Sequence, residues 1–193
     1  MTAATGGRRA WDVGRYLFFT SLLLAAGANG LAQPAPTKSG LFASTSRIRP
    51  ASDFEAGVIA DGVCRSETLR SMVETLQTSD VIVYVTMRPV SDRAVAGGLE
   101  FLGATTTDRI LRAVIAFPLD RISRMAMLGH ELHHAIEVAN NAAVRNRRAF
   151  DDFYKSHGIQ GATQVAHETE AARQAQWRVR AEVVVRDGSC DKS

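Results

Sequence analysis

Residues Gly129–Asn140 read GHELHHAIEVAN, with three histidines and a glutamate in five consecutive positions. The whole chain holds only five histidines, so this clustering is the feature to explain. Pro118 closes a strand-like run just upstream, and Asp120 or Ser123 can cap a helix that reaches about Asn140. On such a helix His130 and His134 stand one turn apart on the same face, and His133 points elsewhere. The stretch therefore reads as a helix that follows strands and presents two imidazoles together.

Working outward, the preceding runs alternate in type. In RSETLRSMVETLQ, Leu69, Met72, Val73 and Leu76 keep the spacing of an amphipathic helix. VIVYVTM (81–87) is β-branched and aromatic and is ended by Pro89, which predicts a buried strand. GLEFLGA (98–104) and RILRAVIAF (109–117) are two more strand-like runs, and the TTTD between them suggests a hairpin. Downstream, a short helix is predicted around Arg145–Ser156, stopped by Gly158, and a last one from about Thr163 to Val184. No internal repeat interrupts this order. The expected fold class is α+β: a small three-stranded sheet, antiparallel or mixed, followed by the histidine-bearing helix and a C-terminal helix.

The 193 residues, 46% of them hydrophobic, suit one globular domain. The N-terminus reads differently. Arg8, Arg9 and Arg15 precede the apolar run YLFFTSLLLAA (16–26) and the small residues GANGLA, which predicts a signal peptide over 1–32. The run is too short to span a bilayer comfortably, so membrane contact is expected only through this segment before cleavage. Residues 33–53, rich in Pro, Ser and Thr, read as a flexible leader, and 54–193 as the domain. The signal segment carries three Arg and one Asp, +2 of the formal net +3, leaving +1 for the remainder. Without a basic, aromatic-interleaved patch, no nucleic-acid partner is expected. A secreted or periplasmic location follows, and with it a disulfide between Cys64 and Cys190, the only two cysteines.

His130-Glu131-Leu132-His133-His134 has the spacing H-E-x-x-H. Two imidazoles one turn apart can reach one Zn²⁺ at about 2.0–2.1 Å, with Glu131 beside the ion to handle a water proton rather than to ligate. A catalytic zinc needs a third protein ligand. A third histidine six residues beyond His134 is excluded, because Asn140 stands there. The candidates are Glu168, Glu170, His157 and His167. Glu168 shares a helical face with Ala172, Ala175 and Val179, a small apolar stripe suited to close packing. A carboxylate buried there needs a metal or a charged partner. Glu170 shares its face with Arg173, Gln174 and Trp177, a more solvated set, so Glu168 is the preferred third ligand.

H-E-x-x-H followed by a glutamate on a later helix resembles the gluzincin zinc metallopeptidases, especially minimal single-domain forms, over about residues 98–185. The resemblance implies a zincin-like fold, Zn²⁺ as cofactor and a peptide or protein as substrate. It implies His130, His134 and Glu168 as ligands and Glu131 as the general base that works on a zinc-bound water. It also implies that a peptide lies along RILRAVIAF as the sheet edge. Many such enzymes carry an Asp four residues after the ligand glutamate to orient the first histidine; here that position is Ala172. The group stabilising the oxyanion is left open among Tyr154, His157 and His167. The expected function is thus an exported zinc-dependent peptidase, the alternative an exported zinc-binding module without turnover.

Overall fold

A computed structural model describes residues 46–89, 96–159, 168–186 and 190. The two runs richest in Val, Ile and Leu sit side by side at the centre of the sheet. Strands β2 (Val81–Arg88) and β4 (Arg109–Ala116) pair in parallel, with Val81 opposite Arg109 and Arg88 opposite Ala116. β3 (Gly97–Ala104) pairs antiparallel with β4 across the turn at 105–108, as the hairpin predicted, with a register shift between Phe101 and Gly103. β1 (Ile48–Pro50) adds parallel to β2, giving the order β1-β2-β4-β3.

Two expectations about the sheet need correction. The sheet has four strands among the described residues, not three. The extra one, β1, lies inside the stretch assigned to the leader. Three residues are too few for a periodic signal, and β1 is held instead by its neighbour: Val83 N–H donates to Arg47 O at 2.7 Å and Ala51 N–H to Val85 O at 2.9 Å. Next, RILRAVIAF is not the edge, because β4 is flanked by β2 and β3; the strand with one partner at that end is β3. From Ala113 to Ala116 β4 is apolar and buried at every position, as a central strand covered on both faces requires.

The sequence also missed helix α1 (Asp53–Arg65). Its apolar spacing is weak, with Gly57 and Gly62 among its residues and only Ile59 and Val63 as fully buried aliphatics. Its start is nonetheless written as a capping box: Ser52 Oγ accepts from Phe54 N–H at 3.2 Å and bonds the Glu55 carboxylate. Helix α2 (Glu67–Gln77) buries Leu69, Met72, Val73 and Leu76, the predicted stripe. α3 (Arg121–Ala139) is capped by Asp120, whose carboxylate accepts from Ser123 N–H at 2.9 Å. α4 (Arg147–His157) starts at Asn146 and stops at Gly158. α5 (Glu170–Val185) starts at its N-cap Thr169, so Glu168 precedes the helix rather than lying within it.

Helix α3 is the centre of the described fold. It touches β2, β3 and β4 as well as α1, α2 and α5, and it buries residues around its whole girth from Met125 to Val138. The core joins Val83, Val85, Leu111 and Ile115 of the sheet to Leu128, Leu132 and Ala135 of α3. α5 lies close against it at Gly129, where a Cβ would come 2.7 Å from Val179 Cγ2. The stripe Ala172, Ala175 and Val179 makes this approach, as its small size predicted. The far end of α5 is tied to α1 and α2. Glu182 accepts from Ser66 Oγ (2.5 Å), Thr68 N–H (3.0 Å) and Thr68 Oγ1 (2.7 Å), and Arg65 donates to Arg186 O at 2.8 Å. Cys64 and Cys190 form a disulfide across a sequence separation of 126. Residues 1–45, which include the predicted signal peptide, lie outside the described residues. Among the described residues no helix is long and apolar enough to cross a membrane.

Candidate functional site

Because α3 is covered on all sides, its polar residues are drawn into the interior. His130 is 7% exposed, Glu131 2% and His134 2%. Buried polar groups need partners, so where each ring nitrogen points is informative.

The two imidazoles meet edge to face, with Nε2 of His130 and Nε2 of His134 3.1 Å apart. Their other nitrogens are engaged. His134 Nδ1 lies 2.7 Å from Glu137 Oε2. Burial pushes the Glu137 carboxyl up, but its hydrogen bonds with His134 and Thr169 outweigh that and hold it below the usual range. It is therefore ionised at neutral pH and can only accept, which puts the His134 proton on Nδ1. His130 Nδ1 lies 3.2 Å from Gln176 Oε1, also an acceptor. Burial, with the neighbouring His134, pushes the His130 imidazole down to about 4, so this ring is neutral at physiological pH. In the neutral pair with both protons on Nδ1, two lone pairs face each other across 3.1 Å. They cannot hydrogen-bond to one another; a shared cation satisfies both.

Glu131 and Glu168 complete the cluster. Glu131 is enclosed, and burial, with the charge of Glu168, raises its carboxyl well above the ordinary range. Its Oε2 is buried without a hydrogen-bond partner. Its Oε1 lies against β3, where a Cβ on Gly97 would fall 2.6 Å away and would displace the carboxylate. Glu168 is likewise raised, chiefly by burial. Its Oε1 is buried, unpartnered, and 3.8 Å from His130 Nε2.

The other predicted residues fall as follows. Glu170 is exposed, 3.4 Å from Arg173, and away from the histidines, so the structure separates it from Glu168. His157 sits at the exposed end of α4, bonded to Ser156 Oγ and stacked on Phe153, and is not part of the cluster. His133 is half-buried and turned aside, with Nε2 3.8 Å from Glu137 Oε1. Tyr154 is buried and packs its ring on His134 at 5.3 Å, while its hydroxyl donates to His134 O at 3.1 Å. Burial holds that phenol well above its usual range, so it props the second histidine as a neutral group. His167 lies outside the described residues.

Two contributors escaped the sequence reading. Ala172 does leave His130 without the expected Asp, and Gln176, one turn further along α5, takes that place. Glu137 was legible in principle, since H-E-x-x-H-x-x-E puts a carboxylate three residues past the second histidine. Thr169, the N-cap of α5, donates to Glu137 Oε1 at 2.6 Å.

Among the described residues, no three His, Cys, Asp or Glu side chains already close around one point as a formed metal centre. The histidine pair is in place and Glu168 stands at its edge. Zinc bonds of about 2.0–2.2 Å to N or O can bridge donor separations up to about 4.2 Å. Both 3.1 and 3.8 Å lie within that reach, and the orphaned Glu168 oxygen is the donor type required. The residues therefore fit a zinc ion.

Compared with known protein families, curated proteins and solved structures, the chain matches none. No relative assigns the site its chemistry.

Proposed function

We propose that this protein is an exported zinc-dependent peptidase with a zincin-like fold. The observation that supports it best is the approach of His130 Nε2 and His134 Nε2 to 3.1 Å, each ring engaged elsewhere through Nδ1, with the unpartnered Glu168 Oε1 3.8 Å from His130 Nε2. His130, His134 and Glu168 would hold the ion. Bound zinc would supply Lewis acidity, acidifying water and polarising a peptide carbonyl.

The chain's own groups account for the rest. Glu131 Oε2 takes the proton of the attacking water and returns it to the departing nitrogen. A carboxyl raised by burial is the better matched to that exchange near neutral pH. Gln176 and Glu137 keep the proton of each imidazole on Nδ1, so that Nε2 stays a donor to the metal. Gly97 brings the end of β3 against Glu131, and β3 is an edge strand among the described residues, so an extended peptide would add there.

One observation favours the alternative of a zinc-holding module without turnover: His130, Glu131 and His134 are all nearly closed to solvent. The variant Glu131→Gln separates the two. In a peptidase it keeps zinc and abolishes cleavage of a peptide library; cleavage surviving at the wild-type rate excludes Glu131 as the base.

A further inference from the structure

We propose that Glu137 is a positioning residue that keeps the histidine pair in its metal-binding tautomer and couples His134 to Glu168. The inference rests on the zinc reading above. Left alone, the pair has a way to satisfy itself. If His134 carried its proton on Nε2, that N–H would donate across 3.1 Å to His130 Nε2, and neither nitrogen would be free for a metal. Glu137 Oε2, 2.7 Å from His134 Nδ1, opposes this by accepting from Nδ1. The carboxylate sits on the same helix one turn on, so its reach is fixed by α3 itself.

The second oxygen faces the other limb of the site. Thr169 Oγ1 donates to Glu137 Oε1 at 2.6 Å and accepts from Ala172 N–H at 3.1 Å as the cap of α5. Glu168 is the adjoining residue, and its carbonyl is held by Ile159 N–H at 2.8 Å. One carboxylate thus sets the proton on a proposed ligand of α3 and anchors the backbone next to the ligand that enters from α5. Glu137 also has His133 Nε2 3.8 Å from Oε1 and the Tyr154 hydroxyl of α4 as titratable neighbours, and its charge reaches His130 and Glu168.

The test uses the full chain. In the metal-free protein, nitrogen NMR of the imidazoles should show His134 as the Nδ1–H tautomer, and Glu137→Ala should replace it by a mixture or by Nε2–H. Zinc affinity, measured by chelator competition, should fall about 10–100-fold in Glu137→Ala. Thr169→Val should weaken zinc in the wild-type background and add less than twofold on top of Glu137→Ala. Should Glu137→Ala not fold, Glu137→Met keeps the length and most of the volume but offers His134 Nδ1 and Thr169 Oγ1 no strong acceptor, so affinity still falls at least about tenfold. An unchanged tautomer, unchanged affinity in either Glu137 variant, or full additivity with Thr169→Val overturns the proposal. A wild-type chain that binds no zinc at all overturns the underlying reading instead, and the tautomer measurement distinguishes the two failures.

Discussion

Gly129→Ala tests the helix contact on which the site is built. In an open helical position the change stabilises by about 1 kcal/mol, because glycine is a poor helix former. Here the added Cβ falls 2.7 Å from Val179 Cγ2 and 3.3 Å from Val179 Cβ. Val179 is fully buried and β-branched, so it cannot swing away as a flexible side chain would. Ordinary contact begins near 3.4 Å, so α5 must retreat by 3.4 − 2.7 = 0.7 Å. Overpacking of this kind costs about 1–3 kcal/mol. With a rigid neighbour at the upper end of that range, the net loss is about 2 kcal/mol, or roughly 4–8 °C in Tm. Such a retreat would also strain the His130 Nδ1 to Gln176 contact, already 3.2 Å long. Val179→Ala in the same chain removes the obstructing methyls and should recover about 1–2 kcal/mol relative to additivity. Thermal and denaturant unfolding of the two single variants and the double variant measure this. Stabilisation by Gly129→Ala near 1 kcal/mol, or strict additivity, would refute the close packing of α3 on α5.

Other consequences follow from the same geometry. Burial raises Glu131, so its charge weakens the fold progressively as pH rises through the raised value; Glu131→Gln should make the metal-free protein more stable at pH 7, by denaturant unfolding in chelator, and a loss of stability contradicts the buried charge. His130 is lowered to about 4, so the unfolded chain takes up a proton before the folded one does; stability of the metal-free protein should fall between about pH 6.5 and 4 by up to about 3 kcal/mol, and His130→Gln should flatten that part of the profile. Removing the disulfide as Cys64→Ser with Cys190→Ser opens a loop of 126 residues and should lower stability by about 5 kcal/mol in the chain-entropy picture; a change under about 1 kcal/mol shows that Glu182 and Arg65 alone secure that end of α5.

Much of the fold was legible because its signals are local. Leu69, Met72, Val73 and Leu76 repeat with the helical period, and the two central strands, β2 and β4, are rich in Val, Ile and Leu, so each declares itself without a partner. β1 and α1 did not, for opposite reasons. β1 is three residues long and exists through bonds to β2, a non-local partner no window contains. α1 has a clear cap in Ser52 and Glu55 but glycine-diluted apolar spacing, and a reading weighted to periodicity passes over it. The position of β4 was misread for a related reason: pairing order depends on a crossover, while the run itself says only that it is buried.

The site divides in the same way. His130 and His134 meet because helical geometry guarantees it at a spacing of four. That Glu168, rather than Glu170, comes to them depends on where α5 begins, and the cap at Thr169 sets that boundary. Gln176 was not foreseeable from the Asp position, since a longer side chain one turn further along reaches the same nitrogen. Glu137 could have been read from its spacing to His134 alone.

The most direct test of the central claim is the metal content of the chain purified without a histidine tag, beside His130→Ala with His134→Ala. The account predicts about one zinc per wild-type chain and none in the double variant. No bound zinc in the wild type, even with the ion supplied in excess, or equal zinc in both proteins, would contradict it.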